Sequence, residues 1–392
     1  MQVETFFELF TRQGQFILEA AAAMVPREKD FLQDFKLLNK RYPRELARLA
    51  LTIAILREEA VSKFPQAEKM FFVRSAMEQA SSWEVAAYRV ARYKGFDRLV
   101  DMGCSIGGDT LALAEIAPTI GIDNDALRLH MARANAAALG LAERTSFIEA
   151  DLTVPLPFNL DAASGLFFDP ARRKNHQRIH SVNDYEPPLK IVDQWLPQVP
   201  AIGVKISPGV KLEELAGYDA EIEFISMKGE LKEAVLWFGP LKSADKRATL
   251  LPGAHTLTAA HIPEIPLSEP RAYIYEPDPA TLRAGLVTVV GEQLNAAQLD
   301  AEIAYLTADT YTETPFARAW KVEDWLPFQL KRLRAYLRER NVGRVTVKKR
   351  GSPITPEDLI RDLRLEGEAE KVLFLTQMQG KPIVVIAAPN QL

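Results

Sequence analysis

The stretch Leu99-Val100-Asp101-Met102-Gly103-Cys104-Ser105-Ile106-Gly107-Gly108-Asp109-Thr110 decides how the chain is read. A short apolar run enters it, glycines at 103, 107 and 108 punctuate it, and a helical pattern leaves it. Glycines at such a turn let the backbone approach a ligand closely, and the helix N-terminus that follows offers unpaired N–H groups. Spacing bears on which ligand. A dinucleotide fingerprint needs a second glycine two positions after the first. Ser105 fills that slot, and the pattern is D-x-G-x-x-x-G, which disfavours a pyrophosphate.

Downstream, short runs rich in Val, Ile and Phe alternate with helical patterns. The predicted strands are 98–102, 119–122, 145–149, 163–168 and 201–206, with helices at 108–117, 125–139 and about 188–196. Alternation of this kind implies right-handed crossovers and a parallel sheet. The pattern then breaks into two strands, 221–227 and 234–238, joined by a Lys-Gly-Glu turn, which reads as an antiparallel hairpin at the sheet edge. Acids recur at the strand ends. Asp123 closes the second strand, where an acid in doubly wound folds accepts from both ribose hydroxyls. Asp151 follows the third strand, placed to accept from an adenine amino group, and Phe167-Phe168-Asp169-Pro170-Ala171-Arg172 ends the fourth. Taken singly, Asp123 or Asp151 at a strand end is more often a helix cap or turn acid, and Asp169-Pro170 reads as an ordinary strand-terminating turn. Taken in series with the glycine turn, they mark a ligand crevice at the carboxyl edge of the sheet.

Upstream, residues 1–95 read as a helical domain. Phe31, Phe35, Leu38, Leu46, Leu49, Ile53 and Leu56 recur at spacings of three and four. A last helix is expected from Ser75 or Ser82 to Tyr93, closed by Gly95. Residues 96–240 form the α/β domain and 241–270 a connector with a hairpin at Pro252-Gly253. Residues 271–392 read as α+β, with strands at 272–275, 342–348, 372–377 and 382–387 and helices at about 279–290, 326–340 and 355–365.

The ordered set D-x-G-x-x-x-G, G-I-D, E-A-D and D-P-x-x resembles class I S-adenosylmethionine-dependent methyltransferases over about 97–240. The resemblance implies a Rossmann-like sheet of order 3-2-1-4-5-7-6. The full chain is similar to bacterial methyltransferases with a helical N-terminal segment and a C-terminal THUMP-like domain. The stretches that carry this are F-F-V-R-S-A-M-E-Q-A-S (71–81), F-D-P-A-R-R (168–173), K-I-S-P-G (205–209), G-E-L-K-E-A-V-L-W (229–237) and V-K-K-R-G (347–351). The helical lead-in and D-P-x-x also resemble trimethylguanosine synthases.

By that resemblance S-adenosyl-L-methionine is the cofactor. Asp101, Gly103, Ser105 and Gly107 would hold its methionine part, Asp123 its ribose and Asp151 its adenine. Asp169 and Pro170 match the start of the D-P-P-Y/F/W motif, in which the acid and the following carbonyl accept from an exocyclic amine. Those bonds aim the nitrogen lone pair at the sulfonium methyl. Arg172 stands where the family carries an aromatic residue, and its flat guanidinium can stack on a base or bind phosphate. THUMP domains bind RNA, so the implied substrate is N2 of guanine or N6 of adenine in tRNA or rRNA.

Composition narrows the alternatives. The chain has 392 residues, 48 basic against 52 acidic side chains and a formal charge of −4, which excludes a polybasic binder but leaves room for a local basic patch. One cysteine, Cys104, excludes a disulfide framework and a cysteine-rich zinc or iron–sulfur site, and fits a cytoplasmic protein. Methylation at pyrimidine C5 uses a thiolate nucleophile. The one thiol here lies inside the cofactor turn, so that chemistry is disfavoured. The five histidines show no metal-ligand spacing, so no metal is expected, and no apolar run is long enough for a membrane span. Arg173 and Lys174 belong to a polar substrate-side loop. Nine basic residues between Lys331 and Arg350, ending in Lys348, Lys349 and Arg350, are set against Glu339 alone. A one-signed excess of this kind suits contact with a phosphate backbone, against the plainer reading of a solvated face. Two other functions compete: methylation of a protein or small molecule, and RNA binding without catalysis on a retained cofactor fold.

Overall fold

A computed structural model describes residues 3–171, 173–174, 177–178 and 181–392, with only the backbone described at 173–174 and 177–178. The chain divides into two compact units: residues up to Glu221 with Lys232–Ser243, and Ile222–Leu231 with Ala244–Leu392.

The first unit opens with helices α1 (Val3–Glu8), α2 (Arg12–Ala22), α3 (Phe31–Leu38) and α4 (Arg44–Ala60). In α4 the predicted stripe of Leu46, Leu49, Ile53 and Leu56 is buried throughout. Of the two expected starts for the helix ending at Tyr93, Ser82 is the one found: it is the N-cap of α6 (Trp83–Val90), which runs into a 3₁₀ turn at Ala91–Tyr93, while Ser75 lies in a separate helix, α5 (Arg74–Gln79). The break has a physical cause. Lys63 Nζ donates to the carbonyls of Met77, Glu78 and Ala80 at 2.9, 2.8 and 3.1 Å, so a side-chain cation satisfies the carbonyl end of α5.

Strands β1 (Arg98–Met102), β2 (Thr119–Asp123), β3 (Thr145–Glu149), β4 (Ser164–Phe168) and β5 (Ile202–Ile206) pair in parallel in the order 3-2-1-4-5. Helices α7 (Gly108–Ala114) and α8 (Ala126–Ala138) follow β1 and β2. A short α9 (Val192–Trp195) precedes β5, preceded by a 3₁₀ turn where a longer helix was expected. Next come β6 (Ala220–Met227) and β7 (Glu230–Phe238), the latter antiparallel to β5, and the sheet order is 3-2-1-4-5-7-6. The fold is the Rossmann-like α/β arrangement that the sequence predicts. One apolar core joins the N-terminal helices to α7 and α8, from Phe6, Leu51 and Phe72 to Leu111 and Met131. Within it the buried Asn135 amide accepts from Phe71 N and donates to the carbonyls of Phe71 and Ile106.

The hairpin at Pro252-Gly253 is present as β8 (Lys246–Leu251) and β9 (His255–Thr258). It is more than a connector, because β8 pairs in parallel with β6 and lengthens the sheet to nine strands.

The rest of the second unit holds a seven-stranded sheet. Its strands are β10 (Tyr273–Pro277), β11 (Ala297–Asp300), β12 (Ile303–Ala308), β13 (Ala317–Pro327), β14 (Val342–Lys349), β15 (Ala369–Met378) and β16 (Lys381–Ala387), in the order 11-12-10-13-16-15-14. Strands 11, 12 and 13 were not expected. The first two are short and carry polar residues, and a register shift between Val322 and Asp324 interrupts the alternation of the third. The predicted helix at 279–290 is two, α10 (Pro279–Ala284) and α11 (Val287–Gln293), parted by Gly285 at φ +72°. Helix α12 (Leu330–Glu339) starts later than predicted because β13 continues to Pro327, and α13 (Pro356–Leu363) is capped by Thr355 Oγ1 accepting from Asp358 N. Both faces of β15 and β16 are buried. Leu373, Leu375, Val384 and Ile386 pack with α12 and α13, while Val372, Phe374, Ile383 and Val385 pack with Tyr305 and Trp320.

Candidate active site

The registers that align Asp101 with Phe167 and Met102 with Phe168 bring the carboxyl ends of β1 and β4 side by side, and Asp101 pairs with Gly121 on the other flank. Above them opens a cavity of about 560 Å³. Its wall includes Gly103 and Ser105 from the glycine turn, Asp109 from the start of α7, Asp123 at the end of β2, Arg128 on α8, Asp151 after β3, and Asp169 and Pro170 after β4. Gln79 and Ala80, at the end of α5, close one side.

The turn is built by backbone conformation. Gly103 and Gly107 lie at φ +84° and +89°, and a Cβ on Gly103 would sit 3.0 Å from the Asp169 carbonyl oxygen. Ser105 also takes a positive φ, +49°, at the slot where a dinucleotide fingerprint has glycine. Asp123 supports that conformation. Its Oδ2 accepts from Ser105 N at 2.8 Å and its Oδ1 from Asp125 N at 2.9 Å. Burial pushes the Asp123 carboxyl up, and the N–H groups of Asp125 and Ser105 oppose the shift.

Asp101 and Gly107 do not line the cavity; both are buried behind the turn. Asp101 Oδ2 accepts from Thr110 Oγ1 at 2.5 Å, and Oδ1 has no hydrogen-bond partner among the described residues. Burial, and then the Asp109 carboxylate, push the Asp101 carboxyl well up. Asp151 is exposed at the cavity rim, where Thr153 donates to it from N–H and hydroxyl and holds its pKa low. Burial pushes the Cys104 thiol well up, away from the thiolate form.

Asp169 Oδ2 accepts from Lys205 Nζ at 2.6 Å, and Lys205 also reaches the Gln79 carbonyl at 3.4 Å. Behind them Arg89, fully buried, pairs with Asp109 and with Glu233, the latter at 2.6 Å. The sequence reading assigned no role to Lys205, Arg89, Asp109 or Glu233. A signal existed for Lys205: it is the one ionisable residue in a strand otherwise apolar and buried on both faces. For Arg89, Asp109 and Glu233, 144 residues separate the outer pair, and no local pattern links them.

Arg172 lies outside the described residues. Arg173 and Lys174 form a short antiparallel ribbon with Gln177 and Arg178. The basic run is placed in the second unit and is largely engaged there. Lys348 pairs with Glu276 at 2.6 Å and stands over the Trp320 ring, and Arg350 stands over Tyr305. Arg334 and Arg338 donate to the carbonyls of Asp362 and Arg364, and Arg344 pairs with Glu370. Lys331, Arg332 and Lys349 are exposed, with no ion pair among the described residues.

Among the described residues no group of three or more His, Cys, Asp or Glu is placed to hold a metal ion, and no helix is long and apolar enough to cross a membrane.

A Rossmann-like sheet of order 3-2-1-4-5-7-6 with a crevice over β1, β2 and β4 is the arrangement expected of a methyltransferase. Comparison with known proteins agrees. The chain is 34% identical over 340 residues to proteins of two Mycobacterium tuberculosis strains, CDC 1551 and H37Rv, both described as uncharacterized S-adenosylmethionine-dependent methyltransferases; the match covers 83% of this chain and 91% of theirs. A family model, THUMP domain-like, matches residues 317–389. In fold, the chain is similar to a solved structure from Porphyromonas gingivalis W83 provisionally described as a methyltransferase, with TM-score 0.74, 22% identity, and 93% and 99% of the two chains covered. The chain belongs to the S-adenosylmethionine-dependent methyltransferases. It is an enzyme of that class with a C-terminal THUMP-like domain, and S-adenosylmethionine is its cofactor. The residues fit that ligand: Gly103 and Ser105 of the glycine turn and the carboxylates at 123 and 151 border one cavity.

Proposed function

We propose that the enzyme methylates an exocyclic base amine of RNA, N2 of guanine or N6 of adenine. The observation that carries this reading is Asp169-Pro170 standing in one cavity with Gly103 and Asp123. S-adenosylmethionine, when bound, supplies a methyl group on a sulfonium. The chain's own residues do the placing. Gly103 and Ser105 would hold the methionine part at the cavity wall, with Asp101 and Gly107 shaping the turn behind them. Asp123 would accept from the ribose and Asp151 from the adenine amine. The Asp169 carboxylate and the Pro170 carbonyl would accept the two N–H groups of the target amine, leaving its lone pair free. Positioning of this kind contributes several kcal/mol of barrier reduction, about 7–11 at the extreme.

RNA as the substrate is supported by the THUMP-like match at 317–389 and by the exposed cations Lys331, Arg332 and Lys349. Arg172, Arg173 and Lys174 would add contacts beside the target base. Lys348 and Arg350 would shape the domain more than they touch RNA, because Glu276 and Tyr305 already engage them. That engagement also favours a second reading, methylation of a small-molecule or protein amine, in which the basic run is a structural surface.

The deciding experiment is transfer of labelled methyl to extract from a strain lacking this gene, split into RNA, protein and small molecules. Label is expected in RNA, in a nucleoside methylated on an exocyclic nitrogen. Asp169→Ala should cut transfer at least about 100-fold while S-adenosylhomocysteine still binds. Label in protein or metabolites selects the second reading, and undiminished transfer in Asp169→Ala removes the assignment of the site.

A further inference from the structure

Lys205 is a buried charge that the proposed reaction leaves unused. Every residue of β5 is buried, and Lys205 is 2% exposed. An ammonium so enclosed carries a desolvation penalty that only well-placed acceptors offset. It has two, and both belong to walls of the cavity. One is Asp169 Oδ2 at 2.6 Å, at the end of β4; the other is the Gln79 carbonyl at 3.4 Å, at the end of α5. Lys205 itself does not line the cavity. The groups around it are likewise charged: Arg89 joins Asp109 and Glu233, and Lys63 holds the carbonyls at the end of α5.

An aspartate at a strand end has two rotatable side-chain bonds, and a carboxylate turned away from a substrate N–H loses the hydrogen bond that orients it. We propose that Lys205 is a positioning residue for methyl transfer: it grips one carboxylate oxygen of Asp169, so that the other oxygen is held toward a single N–H of the amine in the cavity. This rests on the reading of Asp169 given above and adds to it the residue that aims the acceptor. The same grip ties α5 to β4, so the helix end that walls the cavity and the acid that receives the amine keep one spacing. A carboxylate held this way matches a substrate that donates. An oxygen acceptor at the same place, such as a base carbonyl, would face a like charge, so the site selects amino groups over carbonyl-bearing edges.

The test compares five proteins: wild type, Lys205→Met, Lys205→Gln, Asp169→Asn alone and the double variant Asp169→Asn/Lys205→Met. Met keeps the length of the stem and removes the donor. kcat should fall about 30- to 100-fold, as for a misplaced reacting group, while KM for S-adenosylmethionine and the Kd of S-adenosylhomocysteine stay within about threefold. Gln restores a donor without the charge and should recover at least about fivefold over Met. In the Asp169→Asn background, Lys205→Met should cost less than about threefold, because residues acting through one another are not additive. The double variant also removes both charges together and keeps the comparison open if Lys205→Met folds poorly. A purely structural lysine would give the opposite pattern, with additive losses, weaker cofactor binding and no advantage of Gln over Met, and that pattern overturns the proposal. Wild-type protein that labels no amine overturns the reading of Asp169 and this inference with it. Wild type that labels, with Lys205→Met its equal, overturns this inference alone.

Discussion

Asp101, the first acid of the glycine turn, is fully buried, and one of its oxygens has no hydrogen-bond partner among the described residues. Its folded pKa is raised by burial and then by Asp109. Below the unfolded value of 3.8 the carboxyl is protonated in either state. As pH rises past that value the unfolded chain gives up the proton first, so the folded state is disfavoured progressively until its own carboxyl ionises. Asp101→Asn removes this dependence. The stability of wild type minus that of the variant, from urea midpoints across pH 4–8, should therefore decline as pH rises; a flat or rising difference would contradict the raised pKa. That Asp101 matches the family motif was visible in the sequence, but its place behind the turn was not. Whether an acid lines a cavity or braces the loop in front of it depends on which way one strand residue points, and β1 alternates. Ser105 poses the same problem. Its presence in the glycine slot was legible; that it adopts a positive φ with its N–H held by Asp123, eighteen residues on, needed the two strands side by side.

Helices α6 and α7 are joined through charge as well as packing. Arg89 on α6, 2% exposed at its side chain, bridges Asp109 on α7 and Glu233 on β7. Removing one member of such a buried group leaves the others uncompensated, which costs about 3–5 kcal/mol. Arg89→Gln should lower the free energy of unfolding by about that amount, read as a shift in urea midpoint at unchanged slope; a loss under about 1 kcal/mol would mean that water reaches the cluster. At this scale the sequence was most informative where one element carries its own periodicity, as in α4, whose apolar stripe is visible in its own residues. It was least informative where a neighbour decides the boundary. The split between α5 and α6 depends on Lys63, from beyond the end of α4, and the start of α12 on how far β13 runs. Strand β5 shows both sides: its apolar run announced a buried strand, while the partner of its lysine lies thirty-six residues earlier.

At the scale of the whole molecule, a net charge of −4 bears on the proposed RNA substrate. The run from Lys331 to Arg350 looked one-signed in sequence, yet Glu276, Glu370 and main-chain carbonyls engage much of it. Lys331, Arg332 and Lys349 remain exposed. If they contact RNA phosphates, the logarithm of the binding constant should fall linearly with that of salt concentration, and Lys331→Gln/Arg332→Gln/Lys349→Gln should flatten the slope by about 2, near 0.7 for each lost contact. Binding measured by filter retention between 50 and 200 mM salt (about the range over which such effects are large) would check this. An unchanged slope would place the phosphate contacts elsewhere. Strands β11, β12 and β13 were not legible in the sequence, whereas the order of strands and helices from β1 to β7, the glycine turn and the series of acids at the ends of β2, β3 and β4 were determined by it alone. They depend on periodicity and on short motifs, which act within a dozen residues of themselves. The tertiary structure decided which charges neutralise one another: Lys205 with Asp169, Arg89 with Asp109 and Glu233, Lys348 with Glu276. Such pairs form across strands and helices distant along the chain, where Coulomb attraction in a water-poor interior depends on separation in space, a quantity that linear spacing does not carry.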